Sequence, residues 1–210
     1  MLRFTGDYAA AAACLQQALE FHSDLGYRNG QVDDLLQLGA VQRLTGDYPA
    51  AVATLRQALA LGPDVGDRYL QAQVLTELAA VQRLTGDYLA ATASSQQALS
   101  LFRDLPGSSP DAAYAFNELG LAQQLTGDYP AAAASHQQAL ALCQTRNRHG
   151  QAETLNCLGE LASRTADGQR SGVVVAGLAI YQRIAAPAAR GVQESLLQLR
   201  QDNLAPAPER

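Results

Sequence analysis

The sequence predicts an all-α fold, an extended solenoid in which antiparallel helix pairs stack side by side. A tetrapeptide returns at a near-constant interval, which indicates a repeated structural unit. Between its copies, apolar residues recur every three or four positions, as they do along one face of a helix. Glycine and proline separate these stretches at regular points, where helices end and begin. Together the three features predict two helices per unit around one continuous core.

The tetrapeptide Thr-Gly-Asp-Tyr marks the register of the units. Its four copies are separated by 40, 40 and 41 residues and occur at 5–8, 45–48, 85–88 and 126–129. A degenerate copy, Thr-Ala-Asp-Gly, follows at 165–168. Four near-identical copies at this spacing cannot arise by chance.

The first helix of a unit is clearest at 31–44. Its apolar residues fall on one helical face at Val32, Leu35, Leu38 and Val41. We expect Gly46 to end this helix, because glycine tolerates the left-handed conformation that closes many helices.

The second helix of the same unit is predicted at about 48–61. Asp47 is its predicted N-cap, since a carboxylate there can accept free backbone N–H groups of the first turn. Pro49 falls in that first turn, where a missing N–H costs little. We expect Gly62-Pro63 to end the helix.

These units divide the chain into a single solenoid domain of residues 1–204, followed by a disordered tail at 205–210. Its predicted parts are a half repeat 1–28, repeats 29–66, 67–107 and 108–148, a degenerate repeat 149–186, and a capping helix 187–203. The half repeat is a second helix without a first, so Ala11, Leu15 and Ala18 would lack a covering helix. Repeat arrays need capped ends. Either the chain is a piece of a longer protein, or this end associates with a second copy as a homodimer.

The residues at equivalent positions resemble the tetratricopeptide repeat, whose first helix carries a large residue and then Leu-Gly, and whose second carries Ala, a large residue and Ala. The matching residues in one unit are Leu35, Leu38, Gly39, Ala51, Leu55 and Ala58, with Pro63 as the late proline of the family pattern. Small residues there let two helices approach closely. Ser95 and His136 stand where the family has a large apolar residue, so we expect looser packing of their helices. The resemblance implies a right-handed superhelix that binds another polypeptide.

The period near 40 exceeds the usual period of about 34. It resembles the longer variety found in bacterial NB-ARC/STAND-type regulators and in kinesin light chains. The phosphate loop of such regulators is absent, because the loop needs a lysine and this chain has none. Two functions therefore stay open: a scaffold that binds partner proteins, or a sensor segment of a larger NB-ARC/STAND-type nucleotide-dependent regulator, such as a transcriptional one.

The concave face of the superhelix is the expected binding surface. If Leu35 and Leu38 face the neighbouring helix, the opposite side of the first helices presents Asp33, Leu36, Gln37, Arg43, Gln73, Thr76, Glu77, Arg83, Tyr114, Asn117, Glu118, Leu121, Gln124, Glu153, Asn156 and Glu160. The resemblance implies that Asn117 and Asn156 hold a peptide backbone. This surface is more acidic than basic, and it lacks the basic cluster that would hold an acidic C-terminus. The expected ligand is therefore a neutral or basic peptide or helix.

Other classes of function are not favoured. The net charge of −5 argues against nucleic-acid binding. The sequence has no apolar run of membrane-spanning length, so a cytoplasmic location is expected. Because every basic residue is an arginine, we expect a bacterium with a GC-rich genome.

No catalytic, metal or cofactor site is predicted. The repeated Asp and Tyr of the tetrapeptide are explained by helix capping and by packing. Histidine and cysteine occur without the spacing of a metal site, at His22, His136, His149, Cys14, Cys143 and Cys157. No nucleophile elbow is present.

Overall fold

The structure, a computed structural model, describes residues 7–105, 109–143 and 148–164. Over these residues it contains eight α-helices and no strand. The helices are α1 (Tyr8–Asp24), α2 (Arg28–Thr45), α3 (Tyr48–Val65), α4 (Arg68–Leu84), α5 (Tyr88–Phe102), α6 (Ser109–Leu125), α7 (Tyr129–Leu142) and α8 (Arg148–Arg164). The predicted all-α solenoid is confirmed.

Each helix packs against the next one along the chain. The first helices α2, α4, α6 and α8 also contact one another in sequence. These first helices therefore form an inner row, and the second helices α1, α3, α5 and α7 lie outside it. The first helices position the candidate site described below.

The repeated tetrapeptide is the connection between the two helices of a unit. Gly46 ends α2 in the left-handed conformation, with φ 83°. Asp47 then caps α3, because its Oδ1 accepts the Ala50 N–H at 3.2 Å. The same capping bond recurs at Asp7, Asp87 and Asp128. Both the predicted helix end and the predicted cap are confirmed.

The predicted end of α3 at Gly62-Pro63 is wrong. The helix continues through this dipeptide to Val65. It ends at Gly66, which takes the left-handed conformation with φ 69° and donates its N–H to the Gly62 carbonyl. Proline removes one helical hydrogen bond, but here this occurs in the last turn, where few such bonds remain.

The expectation of looser packing is wrong at His136, whereas at Ser95 it stays a prediction. Both side chains are fully buried, as is Leu55 at the equivalent position. His136 fills the space beside Gly120. In the unit of Ser95, the position equivalent to this glycine holds the larger residue Ala79. The residues at these two positions therefore differ together from one unit to the next.

Several sequence-based predictions lie outside the described residues. These are the second helix of the degenerate repeat (165–186), the capping helix (187–203) and the tail (205–210). In the part of the chain that the structure describes, no helix is long and apolar enough to cross a membrane.

Candidate functional site

A small cavity opens on the inner row, between α2, α4 and α6. Its volume is about 160 Å³. Apolar atoms of Leu36, Ala40, Phe102 and Tyr114 form part of its wall. Leu36 is buried, although its place on the side away from the helix pair predicted a solvent-facing position. The wall is apolar because side chains of three successive units converge here.

The polar part of the wall contains hydrogen-bond acceptors and no basic side chain. It consists of Gln37, Gln73, Thr76, Glu77 and Asp111. Of these, Thr76 is buried and donates its hydroxyl to the Ala72 carbonyl one turn earlier. The wall has two carboxylates, of which Glu77 is paired with Arg43, so Asp111 gives the cavity its negative charge.

A hydrogen-bond chain fixes the carboxylate of Asp111. The Tyr69 hydroxyl donates to Asp111 Oδ2 at 2.7 Å, and Gln73 Nε2 donates to the same hydroxyl at 3.3 Å. The Tyr69 ring lies edge-on to Phe102, with centroids 6.0 Å apart. The bond to Asp111 raises the pKa of Tyr69 to about 12, with smaller contributions from burial and the nearby carboxylates. Tyr69 therefore stays protonated and remains a donor at neutral pH.

Two arginine–glutamate pairs of the same geometry join successive first helices. Arg43 Nε lies 2.8 Å from Glu77 Oε2, and Arg83 Nε lies 2.7 Å from Glu118 Oε2. In each pair the second guanidinium nitrogen reaches the other carboxylate oxygen, at 3.4 Å and 3.3 Å. Burial by itself would lower the pKa of each arginine, but the carboxylate partners outweigh it and raise that pKa. Both groove arginines are therefore charged and engaged within the chain.

The charges of both arginine–glutamate pairs act on the hydroxyl of Tyr114. Burial raises the pKa of its hydroxyl, and the carboxylates of Glu118 and Glu77 raise it further. Arg43 and Arg83 act in the opposite direction and are outweighed. The phenol is therefore neutral at physiological pH and contributes an apolar ring with one polar end to the cavity.

Asn117 is engaged in the interior. It is buried, and its Nδ2 donates to Thr154 Oγ1 at 2.9 Å. Its Oδ1 lies 3.3 Å from His136 Nδ1. Thr154 in turn donates to the Gly150 carbonyl. This polar chain links α6, α7 and α8, so the amide predicted to hold a peptide backbone is used within the fold.

Asn156, the other amide chosen from the sequence, lies on the surface of α8. Its Nδ2 is 3.4 Å from Glu160 Oε1. The remaining predicted residues divide by exposure. Gln37, Asp33, Glu153 and Glu160 are exposed; Arg43, Gln73, Glu77, Arg83, Tyr114 and Leu121 are half-buried; Glu118 and Gln124 are buried.

Sequence reasoning missed Asp111, Tyr69 and Phe102. Asp111 occupies a position that holds Gly30 and Leu70 in the two preceding units. Comparing the units position by position would have marked this departure, because a carboxylate there replaces a buried residue.

The half-repeat helix α1 is less covered than its counterparts. Ala11, Leu15 and Ala18 are half-buried, whereas the equivalent Ala51 and Leu55 are fully buried. The largest exposed apolar side chains near this end are Tyr8, Phe21, Leu25 and Tyr27, of which Phe21 and Leu25 are 68% and 78% exposed.

No group of three potential metal ligands occurs among the described residues. Cys14 is exposed, Cys143 is buried and Cys157 is partly covered, all as free thiols. Burial, together with neighbouring glutamates, raises the pKa of Cys157 to about 12. That thiol is protonated at neutral pH and therefore a poor nucleophile.

The fold is similar to that of several solved proteins. BtubC (BKLC) from P. vanneervenii is 17% identical with a TM-score of 0.70, and the match covers 97% of this chain and 96% of that one. A putative kinesin light chain from Podosopora anserina with nearly identical TPR-like repeats is 16% identical with a TM-score of 0.63, over 91% and 90% of the two chains. MamA is 17% identical with a TM-score of 0.55, over 93% and 94%.

No curated protein matches the sequence. The resemblance to NB-ARC/STAND-type regulators, the cytoplasmic location and the bacterial source all stay predictions. The family itself is shown by direct sequence comparison. The tetratricopeptide repeat model matches residues 1–64 and 70–145, which is most of the chain and nearly all of the helix pairs α2–α3, α4–α5 and α6–α7. The chain belongs to the tetratricopeptide repeat family.

Proposed function

We propose that this protein is a non-catalytic scaffold whose inner groove binds a neutral or basic segment of a partner protein. Tetratricopeptide repeats are in general protein-interaction modules, and solenoids of this kind offer extended concave surfaces. The segment would lie across α2, α4, α6 and α8 as an extended peptide or a helix.

The pairing of the groove arginines carries the proposal. Arg43 and Arg83 are each bound to a glutamate by two hydrogen bonds. The other residues predicted to line the groove include acidic side chains, among them the exposed Asp33, and no further basic one. Among these residues, the groove therefore offers an acidic ligand no basic side chain that is not already bound to a glutamate.

An acidic ligand would meet two obstacles. It would face like charge, and it would have to displace a glutamate from its arginine to gain a cationic partner. Breaking such a pair leaves a partly buried carboxylate without its counter-charge, which is costly. A neutral or basic segment meets neither obstacle.

The size of the cavity favours a polypeptide over a small molecule. Pockets for drug-sized ligands and cofactors usually enclose about 300 to 1,000 Å³. The cavity here is about 160 Å³ and opens along the inner row. It has room for one side chain of a longer ligand.

Selection from a display library of random peptides on the immobilised full chain tests this proposal. We expect the enriched peptides to be depleted in Asp and Glu. Their binding should be lost in Gln73→Trp, because the indole would fill the groove between α2 and α6.

The matched control is Gln97→Trp, which places the same indole on the exposed surface of the outer helix α5. This variant should bind the peptides like the original chain. Enrichment of acidic C-terminal peptides whose binding is abolished by Arg43→Ala and Arg83→Ala would contradict the proposal. Peptide binding that neither Gln73→Trp nor Gln97→Trp reduces would also contradict the proposal.

A further inference from the structure

The cavity between α2, α4 and α6 has features that select one kind of side chain. We infer that it receives an arginine or lysine side chain of the bound peptide, whose charged end pairs with Asp111. This inference rests on the proposed function and specifies the residue that the groove prefers at this point.

The apolar wall fits the stem of such a side chain. Lysine and arginine carry three or four methylene groups before the charge, and these groups gain from covered apolar surface. Leu36, Ala40 and the rings of Phe102 and Tyr114 provide such surface. The volume of about 160 Å³ is below the roughly 300 to 1,000 Å³ of pockets for whole small molecules, so a single long side chain suits it.

The polar wall fits the charged end. Asp111 is held by Tyr69 through its Oδ2, so the position of the carboxylate is set before a ligand arrives. Gln73 uses its amide nitrogen on Tyr69, which leaves its Oε1 as an acceptor at the same wall. Charge-assisted hydrogen bonds to a positioned carboxylate are among the stronger polar contacts in proteins.

Other side chains fit this wall less well. An apolar side chain would remove water from Asp111 without replacing its hydrogen bonds. An acidic side chain would approach the carboxylates of Asp111 and Glu77 with no cation in the wall to receive it. A cationic side chain with an aliphatic stem satisfies both parts of the wall.

The inference is tested with small probes on the full chain. N-acetyl-arginine amide and N-acetyl-citrulline amide have side chains of nearly the same shape, but only the first is charged. Titration of each is followed by amide chemical shifts in two-dimensional NMR. We expect the arginine probe to shift amides of α2, α4 and α6 around the cavity, and the citrulline probe to bind more weakly.

Asp111→Asn should weaken binding of the arginine probe about three- to tenfold, since the lost partner is a positioned but partly exposed charge. The control Asp24→Asn removes the same charge from the exposed end of α1 and should leave binding unchanged. Equal affinity for the two probes, or no effect of Asp111→Asn, would overturn the inference.

The two proposals fail separately. If library peptides bind in a manner sensitive to Gln73→Trp but the two probes bind alike, the groove binds peptides and only the arginine preference is overturned. If no library peptide binds the groove, the proposed function fails, whereas the probe titration still reports whether the cavity prefers a cation.

Discussion

Gly120 of α6 lies directly against the imidazole of His136 on α7. A methyl carbon added to Gly120 would be 2.6 Å from His136 Cε1 and 2.8 Å from both ring nitrogens. Gly39 stands in the same relation to Leu55, with a closest distance of 2.7 Å. In these two units the absence of a side chain on the first helix gives space to a large one on the second.

We predict that Gly120→Ala lowers the free energy of unfolding by about 1 kcal/mol. Overpacking a filled core costs about 1 to 3 kcal/mol. The higher helix propensity of alanine relative to glycine offsets about 1 kcal/mol of this cost. Urea denaturation of the two proteins measures the difference.

The second half of this test changes the facing residue. Adding His136→Ser reproduces the Ala79 and Ser95 combination that the preceding unit already has. In that background Gly120→Ala should cost nothing or stabilise. An equal cost in both backgrounds would show that the imidazole is not the obstacle.

The helices and their boundaries were largely predictable from the sequence, whereas this paired variation was not. The caps at Asp47 and Gly46 depend on local backbone chemistry, which a short stretch of sequence contains. Whether His136 packs loosely depends on a residue sixteen positions earlier on another helix. Comparison with the family pattern considered each position alone, so it predicted a defect where the structure has a matched pair.

The buried imidazole of His136 makes stability depend on pH. Burial lowers the pKa of this histidine to about 4 in the folded chain, against about 6.5 when unfolded. The unfolded chain thus binds the proton more readily between these values. The contribution of this histidine to the free energy of unfolding is fully present above about pH 6.5. It is lost as the pH falls toward 4, by about 3 kcal/mol in all.

His136→Leu should remove that part of the pH dependence. Denaturation curves for both proteins between pH 4 and 7 give the two slopes, and the difference between them isolates this histidine from the carboxylates that titrate in the same range. Parallel slopes would mean that water reaches the ring in the folded chain.

Three ion pairs differ in how deeply they are buried, and we predict that their coupling energies increase with burial. Arg68 and Asp104 are largely exposed and should couple weakly. The Arg43–Glu77 pair is half-buried, with side-chain exposures of 21% and 17%, and should couple by about 1 kcal/mol.

The Arg83–Glu118 pair should couple most strongly, because Glu118 retains only 6% of its side-chain exposure. Double-mutant cycles that combine Arg→Met with Glu→Gln measure all three values. If the exposed pair coupled as strongly as the buried one, solvent screening would not govern these contacts.

The candidate site was less predictable than the fold. Helical periodicity grouped Gln73, Glu77 and Tyr114 on one face, and all three line the cavity. It could not show that Asn117 bonds to Thr154, because that contact joins residues in different units. Nor could it identify Asp111 as part of the site, because the equivalent positions of the two preceding units hold buried residues, Gly30 and Leu70.

The exposed apolar side chains near α1 predict weak self-association. Phe21 and Leu25 lie at the end of a helix whose face is only partly covered. Contact between two copies would remove this apolar surface from water, at a gain of about 25 cal/mol per Å². Light scattering across a concentration series should show a mass that rises above the 22.2 kDa of one chain.

The variant Phe21→Ser with Leu25→Ser should keep the mass at one chain over the same concentrations. Because both side chains are exposed, their replacement should leave the fold intact, as circular dichroism can verify. Leu89→Ser is the matched control: Leu89 is 81% exposed on α5, away from α1, so its loss should not reduce association. If Leu89→Ser were equally effective, association would reflect general surface apolarity. If the unaltered chain stayed a monomer throughout, the exposed side chains near α1 would be insufficient for pairing, and the predicted homodimer would be wrong.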